Sequence, residues 1–185
     1  NPTGKRVTTN DYGSADYYYV NKSSLPKVYG GFNTSLSWKG FDLSAIFAYS
    51  IGGYIYNRDV TMILHNGSLE GRDWSTEILR RWTPDNRYTD VPALSTTSNN
   101  WNSASTRFLQ NNSYMRLKNL TLSYNLPKQW ISKLSLSSVQ VYVQGDNLFT
   151  IHRNQGLDPE QGITGITYYR YPAMRTISGG INVSF

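Results

Sequence analysis

Residues that could carry catalytic or metal chemistry are few in this sequence. His65 and His152 stand in separate predicted loops without acidic neighbours at ligand spacing, so we expect exposed loop residues rather than metal ligands. Asp158 and Glu160 could offer oxygen ligands to calcium, but no loop rich in Asp and Asn surrounds them, which favours turn residues. The chain has no cysteine and no Gly-x-Ser-x-Gly motif. We therefore predict no enzymatic activity, no metal site and no cofactor.

Aromatic side chains are the stronger candidates for recognition. The sequence has 15 Tyr, 6 Phe and 5 Trp, and aromatic rings are frequent in binding surfaces because they combine a large apolar face with a polar edge. Two groups fall in long predicted loops and are candidate ligand contacts: Trp74, Trp82, Tyr88 and Trp101 in one loop, and Tyr168, Tyr169 and Tyr171 in another. The alternative is that these rings pack the loops against one another.

Alternation of apolar and polar residues predicts the strands that must position these loops. Successive side chains of a strand point to opposite faces, so each alternating run has one apolar and one polar face. Lys39-Gly40 separates two runs and predicts a two-residue hairpin turn, and one short helix is predicted within residues 74–82. The predicted strands cover residues 28–38, 41–51, 114–125, 136–149 and 174–185.

The apolar faces leave two architectures open. They could form the core of a soluble secreted β-sandwich that binds carbohydrate through its loops, or they could face lipid in an outer-membrane barrel. The links between strands alternate between short and long, an asymmetry typical of outer-membrane barrels. Aromatic residues gather at the end with short links and would form an interfacial girdle there: Trp38, Phe41, Tyr124, Trp130 and the C-terminal Phe185. No apolar run approaches the roughly 20 residues of a membrane helix, which excludes a helical membrane protein.

The charge pattern narrows the choice of partners. The formal net charge is +6, but the cations are scattered, which argues against nucleic-acid binding. Alternation places Arg116, Lys118 and Arg175 on the apolar faces at the end with long links. We predict that these three contact lipopolysaccharide phosphates; the alternative is that they are solvated charges at the rim.

Motifs along most of the chain resemble the C-terminal part of the SusC/RagA-type TonB-linked outer-membrane transporters. They arrive in the order of that family and together cover residues from about 25 to the end. The motifs are Leu25-Pro26-Lys27, Tyr29-Gly30-Gly31-Phe32-Asn33, Trp38-Lys39-Gly40-Phe41-Asp42-Leu43-Ser44, Tyr54-Ile55-Tyr56-Asn57, Arg81-Trp82-Thr83-Pro84-Asp85-Asn86, Thr89-Asp90-Val91-Pro92, Ser113-Tyr114-Met115-Arg116-Leu117-Lys118-Asn119-Leu120-Thr121-Leu122, Gly145-Asp146-Asn147-Leu148-Phe149-Thr150, Gly156-Leu157-Asp158-Pro159-Glu160 and Tyr171-Pro172-Ala173-Met174-Arg175-Thr176.

The resemblance implies an all-β fold and a role in transport. A protein of this type is a 22-stranded barrel with an N-terminal plug, which imports glycans or peptides with energy from the TonB complex under a surface lipoprotein lid of the SusD type. We expect residues 1–185 to be the last part of such a barrel, without plug, TonB box or signal peptide, and with the C-terminus on the periplasmic side. The expected partners are the rest of the barrel and plug, the lid, TonB and outer-membrane lipid. The loop aromatics would then contact either substrate or the lid.

Overall fold

The strands seen in the computed structural model follow the alternation of the sequence closely. The structure describes residues 11–67, 69, 71–95, 97, 100–156, 158–160 and 164–185, and the side chains of Trp101 and Leu134 lie outside that description. The strands are β1 (Val28–Trp38), β2 (Phe41–Ile51), β3 (Tyr54–Asn57), β4 (Leu109–Asn111), β5 (Tyr114–Asn125), β6 (Ser138–His152), β7 (Ile166–Thr167) and β8 (Thr176–Ser184). The bounds of β1, β2 and β5 coincide with those predicted, whereas β6 extends three residues further than predicted and β8 begins two residues later.

Helical segments in the described residues are short. The α-helices are α1 (Arg58–Ile63) and α2 (Lys128–Ile131), and 3-10 turns cover Thr76–Arg80, Asn100–Asn102, Thr106–Phe108 and Ser132–Leu134. The helix predicted within residues 74–82 is thus a 3-10 turn, and α1 and α2 were not predicted. No helix of the described residues is long and apolar enough to cross a membrane.

The five long strands form one antiparallel sheet in the order β1-β2-β5-β6-β8. Each long strand pairs with the next long strand along the chain, which is an up-and-down arrangement. The first hairpin turns at Lys39 and Gly40, whose φ angles are 48° and 88°. Two consecutive positive φ angles match the right-handed twist of paired strands, so this turn sets the β1–β2 register from Trp38↔Phe41 onward.

One face of the sheet is apolar and has no layer packed on it in the described residues. Leu36 pairs with Leu43, and Leu43 pairs with Leu122 on the next strand. Further along, Val141 pairs with Ile181. Leu36 is 67% exposed and Ile181 is 64% exposed. A sandwich would bury these side chains under a second sheet, so the part of the chain described here does not have that architecture.

The other face carries hydrogen bonds between polar side chains of neighbouring strands. Asn182 Nδ2 donates to Gln140 Oε1 (3.2 Å), and Gln140 Nε2 donates to Ser123 Oγ (3.2 Å). Nearer the middle of the sheet, Asn119 Nδ2 donates to Asp146 Oδ1 (2.8 Å). The sheet is therefore amphipathic across its width, as the alternation predicted.

The chain divides into two compact units. One comprises Asn1–Lys22, Ile55–Leu109 and Ile166–Tyr169, and the other comprises Ser23–Tyr54, Gln110–Gly165 and Arg170–Phe185. The first contains the parallel pairing of β3 with β7 and a small core that includes Ile55, Val91 and Phe108. The second contains the amphipathic sheet, with Ala45 and Leu117 among its few buried apolar residues.

Candidate functional site

A β-bulge in β5 changes which face Arg116 occupies. Leu120 pairs with Ala45 on the apolar face, and Leu117 pairs with Phe47 on the same face. The two leucines are three positions apart, whereas residues on one face of a regular strand are an even number of positions apart. Phe47 pairs with Leu117 and the adjacent Ile46 pairs with Asn119, so Lys118 is the extra residue relative to β2. The residues before the bulge are therefore displaced by one position relative to simple alternation.

The displacement corrects the predicted position of Arg116. This residue pairs with Ala48 and Thr150, which lie on the polar face of the sheet, and it is only 3% exposed. The prediction that it stands on the apolar face was wrong, because it assumed unbroken alternation. Its contact with lipopolysaccharide stays a prediction. The step of three residues between Leu117 and Leu120 was the available signal of a bulge.

Arg116 is the centre of a charged cluster in the second unit. Its Nε donates to Thr150 Oγ1 (2.9 Å), Nη1 lies 2.7 Å from Glu160 Oε2, and Nη2 lies 2.5 Å from Asp158 Oδ1. Lys118 Nζ lies 2.6 Å from both oxygens of Glu160. The guanidinium presents its donors in a fixed fork, which allows one side chain to hold strand β6 and the loop after it.

Asp158 fixes the loop at a second point. Its Oδ2 accepts from Ala173 N (2.6 Å), and its Oδ1 accepts from Glu160 N (2.9 Å) as well as from Arg116. Burial alone would raise the pKa of this carboxyl, but the backbone donors Ala173 and Glu160 and the Arg116 guanidinium outweigh burial and lower the pKa. The carboxylate is thus held ionised by its neighbours.

Asp158 and Glu160 form ion pairs with basic side chains of the same chain, Asp158 with Arg116 and Glu160 with both Arg116 and Lys118. This arrangement agrees with the interpretation of the pair as structural residues of a turn. Across the described residues, no group of three or more His, Cys, Asp and Glu side chains is arranged to hold a metal ion.

His65 is buried, contrary to the exposed position that was predicted. Its Nδ1 accepts hydrogen bonds from Gly67 N (3.3 Å), Leu69 N (3.4 Å) and Trp74 Nε1 (3.2 Å). The ring therefore organises the turn that follows α1, and Trp74 is in part a packing residue of this turn. His152 is exposed at the end of β6, where its Nδ1 donates to Asn154 O (2.9 Å).

Tyr168 and Tyr169 lie together beside the start of α1 in the first unit. Their ring centroids are 4.3 Å apart, and the Arg58 guanidinium stacks 4.8 Å above the Tyr168 ring. Asp59 Oδ1 accepts from Tyr169 N (3.0 Å), and Arg72 Nη1 donates to the Tyr169 hydroxyl (2.9 Å). Contacts within the first unit therefore fix Tyr168 and Tyr169, and both side chains remain about half exposed.

Trp82 and Tyr88 flank a turn that is closed by its own polar side chains. Asn86 Nδ2 donates to Arg80 O (3.0 Å), and Thr89 Oγ1 donates to the same carbonyl (2.5 Å), which satisfies acceptors at the end of the 3-10 segment. Trp82 N donates to Val91 O (2.8 Å). Tyr88 projects from this turn with its side chain fully exposed.

Tyr171 and Arg175 belong to the last loop of the second unit. Tyr171 is 99% exposed, and Arg175 lines a cleft of about 320 Å³ together with Arg116 and Arg170. The predicted contact of Arg175 with lipopolysaccharide stays a prediction. The side chain of Trp101 lies outside the described residues.

Aromatic residues cluster at the end of the sheet that has short links. Trp38 pairs with Phe41, and the Phe41 and Tyr124 rings lie 4.5 Å apart. Trp130 in α2 and the C-terminal Phe185 are exposed. All of these belong to the second unit.

Comparison with known proteins assigns the chain to a family. No protein-family model matches it. TonB-dependent receptor P3 of Formosa agariphila is 34% identical over 166 residues, which is 84% of this chain and 16% of the relative. TonB-dependent receptor P26 of the same organism is 30% identical over 184 residues, 93% of this chain and 18% of the relative. TonB-dependent receptor SusC of Bacteroides thetaiotaomicron is 27% identical over 168 residues, 90% of this chain and 16% of the relative.

Solved structures agree with these relatives. The RagAB peptide importer in its open-open state matches with a TM-score of 0.83 and 35% identity over 97% of this chain and 19% of that chain. Its closed-closed state matches with a TM-score of 0.83 and 34% identity over 100% of this chain and 20% of that chain. Over most of its length the chain is thus similar to one part of the SusC/RagA-type TonB-dependent receptors. It spans 16 to 18% of the length of the curated relatives it matches.

Similarity to these receptors agrees with the exposed apolar face of the sheet. TonB-dependent receptors are outer-membrane proteins, and residues such as Leu36 and Ile181 have the character of side chains that contact lipid. The alternative of a soluble sandwich is not favoured. The long strands of this chain are antiparallel, and 97% of the chain matches the RagAB importer.

Proposed function

We propose that this chain is the distal part of a 22-stranded, TonB-dependent barrel that imports glycans or peptides as nutrients across the outer membrane. The observation that carries the proposal is the sheet itself: five antiparallel strands in chain order, with one apolar face left uncovered. Such a face is stable when acyl chains cover it. The named relatives are receptors of the TonB-dependent class, and the RagAB importer transports peptides.

The edges of the sheet support the proposal of a longer barrel. In the described residues, β1 and β8 each pair on one side only, and an unpaired edge inside a membrane leaves backbone donors and acceptors unsatisfied. We propose that strands of the rest of the receptor pair with both edges and that a plug fills the lumen. A SusD-like surface lipoprotein and the TonB complex are the proposed partners of the whole receptor.

The proposed orientation places Phe185 at the periplasmic side. Trp38, Phe41 and Tyr124 lie at the same end of the sheet, and aromatic girdles mark membrane interfaces. The long loops then face the cell exterior. Among the loop aromatics whose side chains the structure describes, Tyr88 and Tyr171 are the most exposed, and they are the best candidates for contact with substrate or lid.

Spin labelling of adjacent residues tests which face meets lipid. These 185 residues have no cysteine, and single Cys residues can be placed in a full-length receptor from which any other cysteine has been removed, reconstituted in bilayers. We expect a label at Ile181→Cys to be relaxed by oxygen, which partitions into lipid, and a label at Asn182→Cys to be relaxed by a water-soluble nickel chelate. Leu36→Cys and Ser35→Cys form a second matched pair. Equal access of the nickel chelate to both members of each pair would contradict a lipid-facing sheet.

Uptake measurements test the transport activity. Cells that carry the full-length receptor should accumulate labelled oligopeptides or oligosaccharides, and removal of TonB should abolish accumulation. Tyr88→Ala should reduce uptake without changing the heat-modifiable migration of the folded receptor, whereas Leu79→Ala, an exposed residue of the same unit, serves as the control. Accumulation that is independent of TonB would refute the proposal.

A further inference from the structure

The cleft beside Arg116 has an unbalanced positive charge. It is lined by Arg116, Arg170 and Arg175, and Asp158 is the one carboxylate in its lining among the described residues. Both oxygens of Asp158 are already engaged, by Arg116 and by the Ala173 amide. No hydrogen bond or ion pair of the Arg170 or Arg175 side chain is found among the described residues, so their guanidinium groups are available to a ligand.

The second unit has too few free carboxylates to neutralise the charges of Arg170 and Arg175. That unit contains nine Lys and Arg residues and four carboxylates. Asp42 lies at the opposite end of the sheet beside Phe41, and Asp146 accepts from Asn119. Glu160 is held between Arg116 and Lys118. The local field at the cleft is therefore positive, which concentrates anions.

The arginines are carried by a segment that is tied to the sheet. Asp158 Oδ2 accepts from Ala173 N (2.6 Å), and Asn147 Nδ2 donates to Met174 O (3.2 Å). These two bonds fix the backbone between Arg170 and Arg175. Donors that are held in place before a ligand arrives lose less entropy on binding.

We propose that this cleft binds an oxyanion group, a carboxylate or a sulfate or phosphate ester, on the ligands that the receptor imports. Arg116, Thr150 and His152 all belong to the polar face of the sheet, so the cleft opens on the side that would line the lumen. A guanidinium fork matches two oxygens of such a group. The cleft volume of about 320 Å³ lies at the small end of ligand sites, which suits one sugar ring or one side chain. The proposal rests on the proposed import function and defines its substrate class as anionic.

Calorimetric titration of the full-length receptor in detergent tests the site. The probes are D-glucuronate and inorganic sulfate, with D-glucose as the neutral counterpart of glucuronate. We expect glucuronate to bind and glucose not to bind. The double variant Arg170→Gln/Arg175→Gln should weaken glucuronate binding about tenfold or more, since each lost charged hydrogen bond contributes to affinity. Arg153→Gln removes an exposed charge from the same unit outside the cleft lining and should change affinity less than about twofold.

Three outcomes would overturn the proposal of an anion site in this cleft. Wild-type receptor could fail to bind both anions, the double variant could bind them as tightly as wild type, or Arg153→Gln could weaken binding as much as the double variant. A lipid source for the anion is tested by measuring lipopolysaccharide that copurifies with each variant. Loss of lipopolysaccharide with unchanged glucuronate binding would assign the two arginines to lipid and overturn the substrate site. Equal heat-modifiable migration of all variants confirms that they are folded.

The failure of this inference can be told apart from the failure of the proposed function. If the double variant imports neutral and anionic peptides at the wild-type ratio, the site is wrong while TonB-dependent import stands. The opposite result is that the receptor imports no ligand, while its binding of glucuronate still depends on the two arginines. In that case the cleft is an anion site and the proposed import function is wrong.

Discussion

Arg116 shows how a single residue can hold a loop against a sheet. Its guanidinium contacts Thr150 on β6 and the carboxylates of Asp158 and Glu160 in the following loop. The side chains of Arg116 and Asp158 are both almost fully buried. A buried charge that loses its partner costs far more than an exposed one, so the cluster should be sensitive to removal of any one member.

Replacement of Arg116 by Met should open the loop. The change leaves Asp158 without its guanidinium partner, and breaking a buried ion pair typically costs about 3–5 kcal/mol. Amide hydrogen exchange of the full-length receptor should show this loss at Ala173 N and Glu160 N, which both donate to Asp158. Lys118→Met is the matched control, because its partly exposed pair with Glu160 should contribute only about 0–1 kcal/mol. Similar losses in the two variants would contradict a central role for Arg116.

Acidification should open the same loop through Asp158. Its pKa is lower in the folded protein than in the unfolded chain, so its contribution to stability is complete above the unfolded value, which is about 4. That contribution is lost as the pH falls through the lower, folded value. Protection of Ala173 N, corrected for the intrinsic exchange rate, should therefore be flat near neutral pH and fall below about pH 4.

The Asp158→Asn variant provides the control for the effect of acid. It removes the charge at all pH values and places a donor near Arg116, so protection of Ala173 N should be low throughout. If the variant and the wild type lose protection in parallel on acidification, another group is responsible. The Glu160 side chain, which also pairs with Arg116, is the next residue to replace.

At the scale of the strands, glycines mark places where the sheet has no room for a side chain. A Cβ at Gly31 would lie 2.8 Å from the carbonyl oxygen of Phe47 on the paired strand. A Cβ at Gly180 would lie 2.7 Å from the hydroxyl of Tyr142, which is the far end of a side chain. The distances are similar, but only the second neighbour can move without disturbing the strand pairing.

Gly31→Ala should therefore destabilise the receptor more than Gly180→Ala. The first change must displace backbone between β1 and β2, and overpacking of this kind costs about 1–3 kcal/mol. The second should be tolerated after rotation of Tyr142, and the double change Gly180→Ala/Tyr142→Ala should remove the conflict. Urea unfolding of the receptor in detergent, followed by tryptophan fluorescence, measures the difference. An equal loss for the two glycines would show that the backbone of β1 adapts as easily as the Tyr142 ring.

For the chain as a whole, we propose that its 185 residues form one part of a larger barrel. Its large sheet exposes an apolar face, and its two edge strands are unpaired in the described residues. Exposed apolar patches and open strand edges both promote association. The full-length receptor in a membrane would cover the face with lipid and the edges with neighbouring strands.

The isolated chain should consequently not remain monodisperse in detergent-free buffer. We expect size-exclusion chromatography to show aggregates of the isolated chain in buffer. In detergent, hydrogen exchange should show weaker protection of the backbone amides on the unpaired sides of β1 and β8 in the isolated chain than in the full-length receptor. The β2–β5 pairing, which is internal to the sheet, is the control region. A soluble monomer with strong protection in both edge strands would contradict an incomplete barrel.

Local residue patterns were enough to predict the regular parts of this protein. Strict alternation identified β1, β2 and β5 and their apolar faces, because a side-chain period of two is a local property of an extended chain. Lys39 and Gly40 identified the hairpin for the same reason, since a turn depends on residues that are adjacent in sequence. The family motifs, in order along the chain, identified the receptor class that the comparisons support.

Features that depend on contacts between distant segments could not be predicted from local patterns. Alternation placed Arg116 on the lipid side, but the bulge at Lys118 moves it to the polar side, and that shift is set by the register with two neighbouring strands. Its carboxylate partners lie 42 and 44 positions away, and no local pattern encodes such a contact. The burial of His65 likewise follows from how one loop folds around Trp74. Local chemistry selects strands and turns, whereas register and loop packing are settled only when segments far apart in the chain meet.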